Sequence, residues 1–306
     1  ASPALREVWE IGKRLEGLSR NAGLHASGVV VSDRPLIEHL PLYYVDGAAV
    51  TQYDMKALTK IGLLKIDVLG LETLTVLDRA RLLIEKTRGV KLDLNALPLN
   101  DKTTFDLLSR GSVKGVFQLE TSGGMKKLVQ DMKPDRIEDL IAILALFRPG
   151  PLGSGMVETY VRCKHGTEPI KYVHPLLEPI LAETNGVILY QEQVMRLAHD
   201  MSGFSLNEAD NLRKAMGKKT PEDFEKMRPT FVAGATKNKI PAKLADKIYD
   251  NLLKFAGYGF NRSHTAAYGM LAYQTAYLKT NHTLEFMCAV ATSEIGHSAV
   301  GADDKE

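Results

Sequence analysis

Cysteine is scarce: Cys163 and Cys288 are the only two in 306 residues, far apart and in no CxxC pattern. That argues against a disulfide framework and fits a reducing cytoplasm. Charge of one sign is also missing. Lys+Arg 39 against Asp+Glu 37 leaves a net charge of only +2, so no global basic field announces a polyanion, and any site for one must come from local clustering. No stretch of this sequence reads as a signal peptide or as an apolar run long enough to cross a bilayer, and it contains no GxSxG nucleophile turn and no Walker loop. There is no repeat of fixed period and no low-complexity tract. What remains, with hydrophobic content of 44% and charged content of 25%, is an ordinary globular composition on a chain long enough for two domains. The chain opens on Ala1 without Met and stops at Glu306; we expect a piece of a longer protein.

Periodicity divides the chain. Leu5, Val8, Ile11, Leu15 and Leu18 recur at helical spacing, an amphipathic helix that carries no evident chemistry. From Gly23 the character changes. Short β-prone runs at Gly28–Ser32, Leu42–Val45, Ala49–Tyr53 and Leu63–Asp67 are separated by Asp, Gly and Pro. Asp54 is placed to cap a short helix through Lys60. After Gly70 the pattern is almost wholly helical, from Glu72–Lys86 to Leu284–Ser293. Ser205 and Glu208 form a capping box, and Ser263 reads as the cap of a long helix beginning near Thr265. The expected class is α+β: a small mixed sheet followed by a large, mostly helical domain.

Lys65 and Asp67 are two positions apart in a strand, hence side by side on one face of an otherwise apolar run. They read either as a salt-bridged pair at a strand end or as a metal-ligating Asp beside a phosphate-facing Lys. By themselves the two residues favour the salt bridge. Downstream, four segments set basic or glycine residues where a loop meets a helix: Gly115–Lys127, Phe147–Gly155 with Arg148, Arg213–Lys219, and Gly257–His264. Glycines let a backbone approach a ligand, and a helix start offers free N–H groups to an anion. Arg213, Lys214, Lys218 and Lys219 crowd one helix end more densely than capping requires. Tyr258 and Phe260 offer flat faces to a base, with Asn261, Arg262 and His264 beside them. Ordinary caps and turns remain the alternative for each. His25, His165 and His174 fall in no ligand spacing, and His25 reads as a hydrogen-bonded residue at a strand edge. Glu192 and Glu208 read as solvated.

The order of His25–Val30, Leu64–Leu71, Gly115–Glu120, Phe147–Pro151, Tyr190–Met195, Arg213–Lys219 and Tyr258–His264 resembles the bacterial replicative polymerases of the DNA polymerase III α-subunit (C) family. The resemblance covers nearly the whole chain. Arg262 stands where Lys is expected, Val68 where Phe is common and Thr121 where Ser is common. It implies that residues 1–22 are the end of a thumb, 23–72 the last part of a palm, and 73–306 the fingers. It further implies two Mg²⁺ ions on three palm carboxylates, of which Asp67 matches the third. The other two are not in this sequence, so the chain alone is expected to be inactive. Lys65 would face phosphate, and Arg148, Arg213, Lys214, Lys218, Lys219, Arg262 and His264 would line the nucleotide pocket. Implied partners are primer-template DNA and dNTP. Through regions absent here, they also include the sliding clamp, exonuclease and clamp-loader subunits of a replisome on the nucleoid, with no membrane. The rival readings are a non-catalytic helical module binding nucleic acid or protein, and a different nucleotidyltransferase. Asp67 separates the first rival, because a carboxylate among phosphate-binding cations would repel DNA unless a metal shared it.

Overall fold

A computed structural model describes residues 2–18, 23–45, 47–217, 221–256 and 258–295. The chain divides into two compact units, Ala1–Leu71 and Glu72–Glu306, and is α+β. The first unit holds α1 (Pro3–Leu15), β1 (Gly28–Val31), β2 (Leu42–Val45), β3 (Ala48–Thr51), α2 (Met55–Lys60) and β4 (Leu64–Asp67). The strands form two antiparallel ribbons, β1 with β4 and β2 with β3, where a single mixed sheet was expected. Asp54 caps α2 as its position suggests, its Oδ1 accepting the Ala57 N–H at 2.8 Å. The amphipathic stripe of α1 is present, but none of its residues is buried. Val29, Val31, Leu64 and Ile66 of the β1–β4 ribbon are likewise exposed.

The second unit runs through α3 (Glu72–Arg88), α4 (Lys102–Ser109), α5 (Gly123–Met132), α6 (Ile137–Leu146), α7 (Pro149–Gly153) and α8 (Met156–Lys164). It continues with α9 (Glu178–Leu181), α10 (Gln191–Ser202), α11 (Leu206–Gly217), α12 (Pro221–Lys237), α13 (Ala242–Ala256), α14 (Arg262–Asn281) and α15 (Thr283–Ser293). Among the described residues, three apolar cores hold it. The largest, with Leu108, Val129, Leu140, Ile143 and Tyr273, joins α4, α5, α6 and α14. A second, with Leu197, Leu212, Phe231 and Ile248, joins α10 to α13. A third, with Ile84, Leu278 and Phe286, sets α3 and α15 on the far end of α14. There Arg88 makes a two-pronged pair with Glu285, at 2.7 and 2.9 Å.

Helix α14 begins three residues before the expected Thr265, which corrects the capping assignment. Asn261, not Ser263, is the N-cap: its Oδ1 accepts the His264 N–H at 2.9 Å. An Asn side chain reaches the N3 amide from the residue just before the helix, and that leaves Arg262, Ser263 and His264 inside the first turn. The segment after Arg148 is also more ordered than a loop, since Pro149 opens the one-turn helix α7 with its missing N–H at a position that needs none.

Asp139 is fully buried in the largest core and is satisfied by the Lys164 ammonium at 2.7 Å, the Asp135 N–H at 3.1 Å and the Arg136 guanidinium at 3.4 Å. Removing one partner of a buried charge leaves that charge uncompensated. Lys164→Met should therefore lower unfolding stability by about 3–5 kcal/mol. Denaturant unfolding of the chain measures this, and a loss below ~1 kcal/mol would mean that Arg136 and the Asp135 N–H satisfy Asp139 without Lys164.

Candidate functional site

In the first unit the β1–β4 register sets Gly28 opposite Asp67 and Val30 opposite Lys65. The Lys65 Nζ donates to Asp67 Oδ1. His25 joins them: its Nδ1 lies 3.1 Å from the same Oδ1 and 3.2 Å from Lys65 Nζ. His25 is thus hydrogen-bonded at the edge of β1, as its sequence position suggested, and the three side chains converge over Gly28. A Cβ on Gly28 would lie 2.8 Å from His25 Nδ1 and 2.9 Å from Lys65 Cε, closer than real side chains pack. The available signal was therefore the glycine three residues after the histidine. A cleft of about 510 Å³ opens beside the cluster, lined by His25, Gly28, Thr51, Tyr53, Asp54 and Lys65 among others.

The Lys65 hydrogen bond, with smaller help from the charges of Lys65 and His25, holds the Asp67 carboxyl below its ordinary 3.8. Its side chain is 41% exposed, so it stays reachable from solvent. Asp67 is a hard oxygen donor of the type Mg²⁺ takes, often as one of only one or two protein carboxylates beside phosphate oxygens and water. Among the described residues no three His, Cys, Asp or Glu gather as a metal site. Asp67 thus fits one ligand of a Mg²⁺ site, not a complete one.

In the second unit the residues picked from two distant segments meet at the start of α14. Arg148, half-buried at the end of α6, donates from Nε to Ala145 O at 2.8 Å and from Nη2 to Tyr258 O at 2.6 Å. Its guanidinium stacks 4.3 Å from the Phe260 ring centre. Burial pulls its pKa down, yet a guanidinium stays charged at any working pH. The Tyr258 ring lies against Gly150, where any Cβ would collide with it. A parallel bridge ties Phe260 to Tyr190, and Gln191 N–H donates to Phe260 O at 2.8 Å. The rings of Phe260, His264 and Tyr268 follow one another at 5.5 and 4.2 Å.

Arg262 is held by two carboxylates. Both Glu192 oxygens accept its backbone N–H at 3.0 Å, and Glu183 Oε1 pairs with its guanidinium. Glu192, read from sequence as solvated, is instead part of this assembly, joined to a residue 70 positions away. No local pattern signals that. Glu208 does cap α11 through Ser205, as the box predicted. Arg213 and Lys214 are on α11 with Asp210 between them, at 2.8 and 2.7 Å. The hydrogen bonds of Lys214 and Arg213 depress the Asp210 pKa. Among the described residues neither cation bonds to Arg148 or Arg262, although Met216, in the last turn of α11, packs against Gly259. Lys218 and Lys219 lie outside the described residues. At Gly115–Lys127, Ser122 caps α5 by accepting the Met125 N–H.

A family model for the bacterial DNA polymerase III alpha subunit finger domain matches residues 73–239, and one for the bacterial DNA polymerase III alpha NTPase domain matches residues 1–70. The DNA polymerase III subunit alpha of Thermus aquaticus is 50% identical over 296 residues, 95% of this chain and 24% of its own length. That of Aquifex aeolicus is 48% identical over 294 residues, covering 96% and 25%. That of Escherichia coli K12 is 47% identical over 319 residues, covering 97% and 27%. The chain thus spans about a quarter of the length of the curated relatives it matches.

Because the folded pKa of Asp67 lies below its unfolded value, the stability this group contributes is present above pH 3.8 and is lost as pH falls through the lower folded value. Carbon-13 NMR of the Asp67 carboxylate should show it ionised below pH 3.8, and Lys65→Met should raise the midpoint. A midpoint unmoved by Lys65→Met would mean that the ion pair does not form in solution.

Proposed function

The chain belongs to the bacterial DNA polymerase III alpha subunit family, and from that premise we propose that it is the part of a DNA-directed DNA polymerase that binds the incoming dNTP and the template and that supplies one catalytic carboxylate. Residues 1–22 are then the end of the thumb, 23–72 the last part of the palm and 73–306 the fingers. The observation that supports the reading best is the convergence of Arg148, Tyr258, Phe260, Arg262 and His264 on the first turn of α14.

In this reading the cations neutralise the phosphates. Arg148 is held rigidly by two carbonyls and a ring, which limits the entropy lost when it takes a phosphate oxygen. Arg262, on the first turn of α14, faces anions beside the positive end of a helix. Arg213 and Lys214 add charge from α11, and Lys218 and Lys219 extend that run in sequence. Tyr258 and Phe260 give a base a flat surface, while Asn261 fixes the turn that carries Arg262 and His264. In the palm, Asp67 would hold Mg²⁺ together with carboxylates supplied by other parts of the polymerase. Bound there, the ion stabilises charge on the transferring phosphoryl group. Lys65 pairs with the Asp67 carboxylate and would face phosphate beside it. The partners proposed for the whole polymerase are primer-template DNA, dNTP, the sliding clamp, the exonuclease and the clamp loader, in the cytoplasm at the replisome.

A second reading, a helical module that binds nucleic acid or protein without catalysis, draws on the internal pairing of Arg213, Lys214 and Arg262 with carboxylates. Primer extension by the full-length polymerase separates the two. Asp67→Asn should abolish extension with fold and DNA affinity nearly unchanged. Arg213→Ala and Arg262→Ala each remove charge-assisted hydrogen bonds of ~1.5–3 kcal/mol, so kcat/KM for dNTP should fall roughly 10- to 150-fold. Near-normal extension by Asp67→Asn would remove that residue from the site, and unmoved constants in both Arg variants would place the nucleotide elsewhere.

A further inference from the structure

We propose that His25 is the positioning residue for Asp67: with Lys65 it grips one carboxylate oxygen, Oδ1, and so fixes the other, Oδ2, in the orientation that meets a divalent cation. The inference rests on the reading of Asp67 as a metal ligand and says which oxygen serves and what holds it.

The backbone delivers the ring to its place. A tight turn brings the Gly28 N–H to His25 O at 3.0 Å, and the Val68 N–H donates to Ser27 O at 2.8 Å, so the turn before β1 is fastened to the residue after Asp67. His25 and Asp67, 42 positions apart, then face each other across the vacant side-chain position of Gly28, and Lys65 enters the same space from the neighbouring strand. His25 Nδ1 at 3.1 Å and Lys65 Nζ both address Oδ1, while Oδ2 takes no hydrogen bond among the described residues. The ring nitrogen has one role at a time: protonated at Nδ1 it donates to Asp67, and unprotonated there it accepts from Lys65. Both arrangements hold the same three groups together. A carboxylate with one oxygen bound from two directions loses the freedom to swing about its χ2, so less order has to be imposed when a cation binds. Groups that orient a ligand from behind in this way typically change metal affinity by about 10- to 100-fold when removed.

The test uses the full-length polymerase with primer-template, and Mn²⁺ as a spin probe. His25→Ala should weaken Mn²⁺ binding, read by electron paramagnetic resonance, about tenfold or more, and raise the Mg²⁺ concentration for half-maximal extension by a similar factor, with Tm unchanged. His25→Asn keeps a short polar group that can reach Oδ1 and should recover part of the loss. Asp67→Asn serves as the reference. If Asp67→Asn abolishes extension while His25→Ala leaves both metal responses at the wild-type level, the positioning role is overturned and the polymerase reading stands. If Asp67→Asn itself extends primers normally, the underlying reading fails instead. Should His25→Ala fold poorly, His25→Phe, which keeps a ring and loses Nδ1, decides: a normal metal response at normal Tm overturns the proposal, and a weakened one supports it.

Discussion

A guanidinium partly withdrawn from water must find its hydrogen bonds inside the protein, and Arg148 finds them in two places that the chain order keeps 110 residues apart. One prong takes a carbonyl of its own helix, α6, and the other takes Tyr258 O, while the flat face lies on Phe260. These contacts fix the 258–261 segment on the end of α6. Asn261 then starts α14 at a defined point, and α14 runs on through the largest core and into the core it shares with α3 and α15. Arg148→Lys would keep the charge and lose the fork, because an ammonium cannot reach both carbonyls and stack at once.

The near-neutral composition is mirrored at close range. Arg213 and Lys214 are matched by Asp210, and Arg262 by Glu183. The pairs are exposed or half-exposed, where the net worth of an ion pair is small. A triphosphate, with more charge and more acceptor oxygens than a carboxylate, therefore meets little resistance in replacing them. Arg148 differs, since its partners are carbonyls. In the proposed pocket it is the fixed cation and the others are exchangeable ones.

The α+β division, most helices of the second unit and the caps at Asp54 and Ser205 were legible because each depends on spacing within a few residues. Elements fixed by distant partners were not. Asn261 displaced Ser263 as the cap because the parallel bridge to Tyr190 and the Arg148 bond set where the chain enters α14. Glu192 looked like one more surface carboxylate until the backbone of residue 262 arrived above it. Pairing of β1 with β4 rather than β2 placed His25 beside Asp67, and nothing local to His25 announces a partner 42 positions on. The Lys65–Asp67 pair was legible from its spacing, whereas the carboxylate partners of Arg213, Lys214 and Arg262 became visible only in the folded chain.

The central claim is that the surface gathered at the start of α14 receives the incoming nucleotide. Photolabelling the full-length polymerase with 8-azido-dATP, in the presence of primer-template and with labelled peptides identified by mass spectrometry, addresses it most directly. The account predicts label on the peptide carrying Tyr258 to His264, suppressed by unmodified dATP. Label confined to peptides outside residues 148–264, with equal suppression, would contradict it.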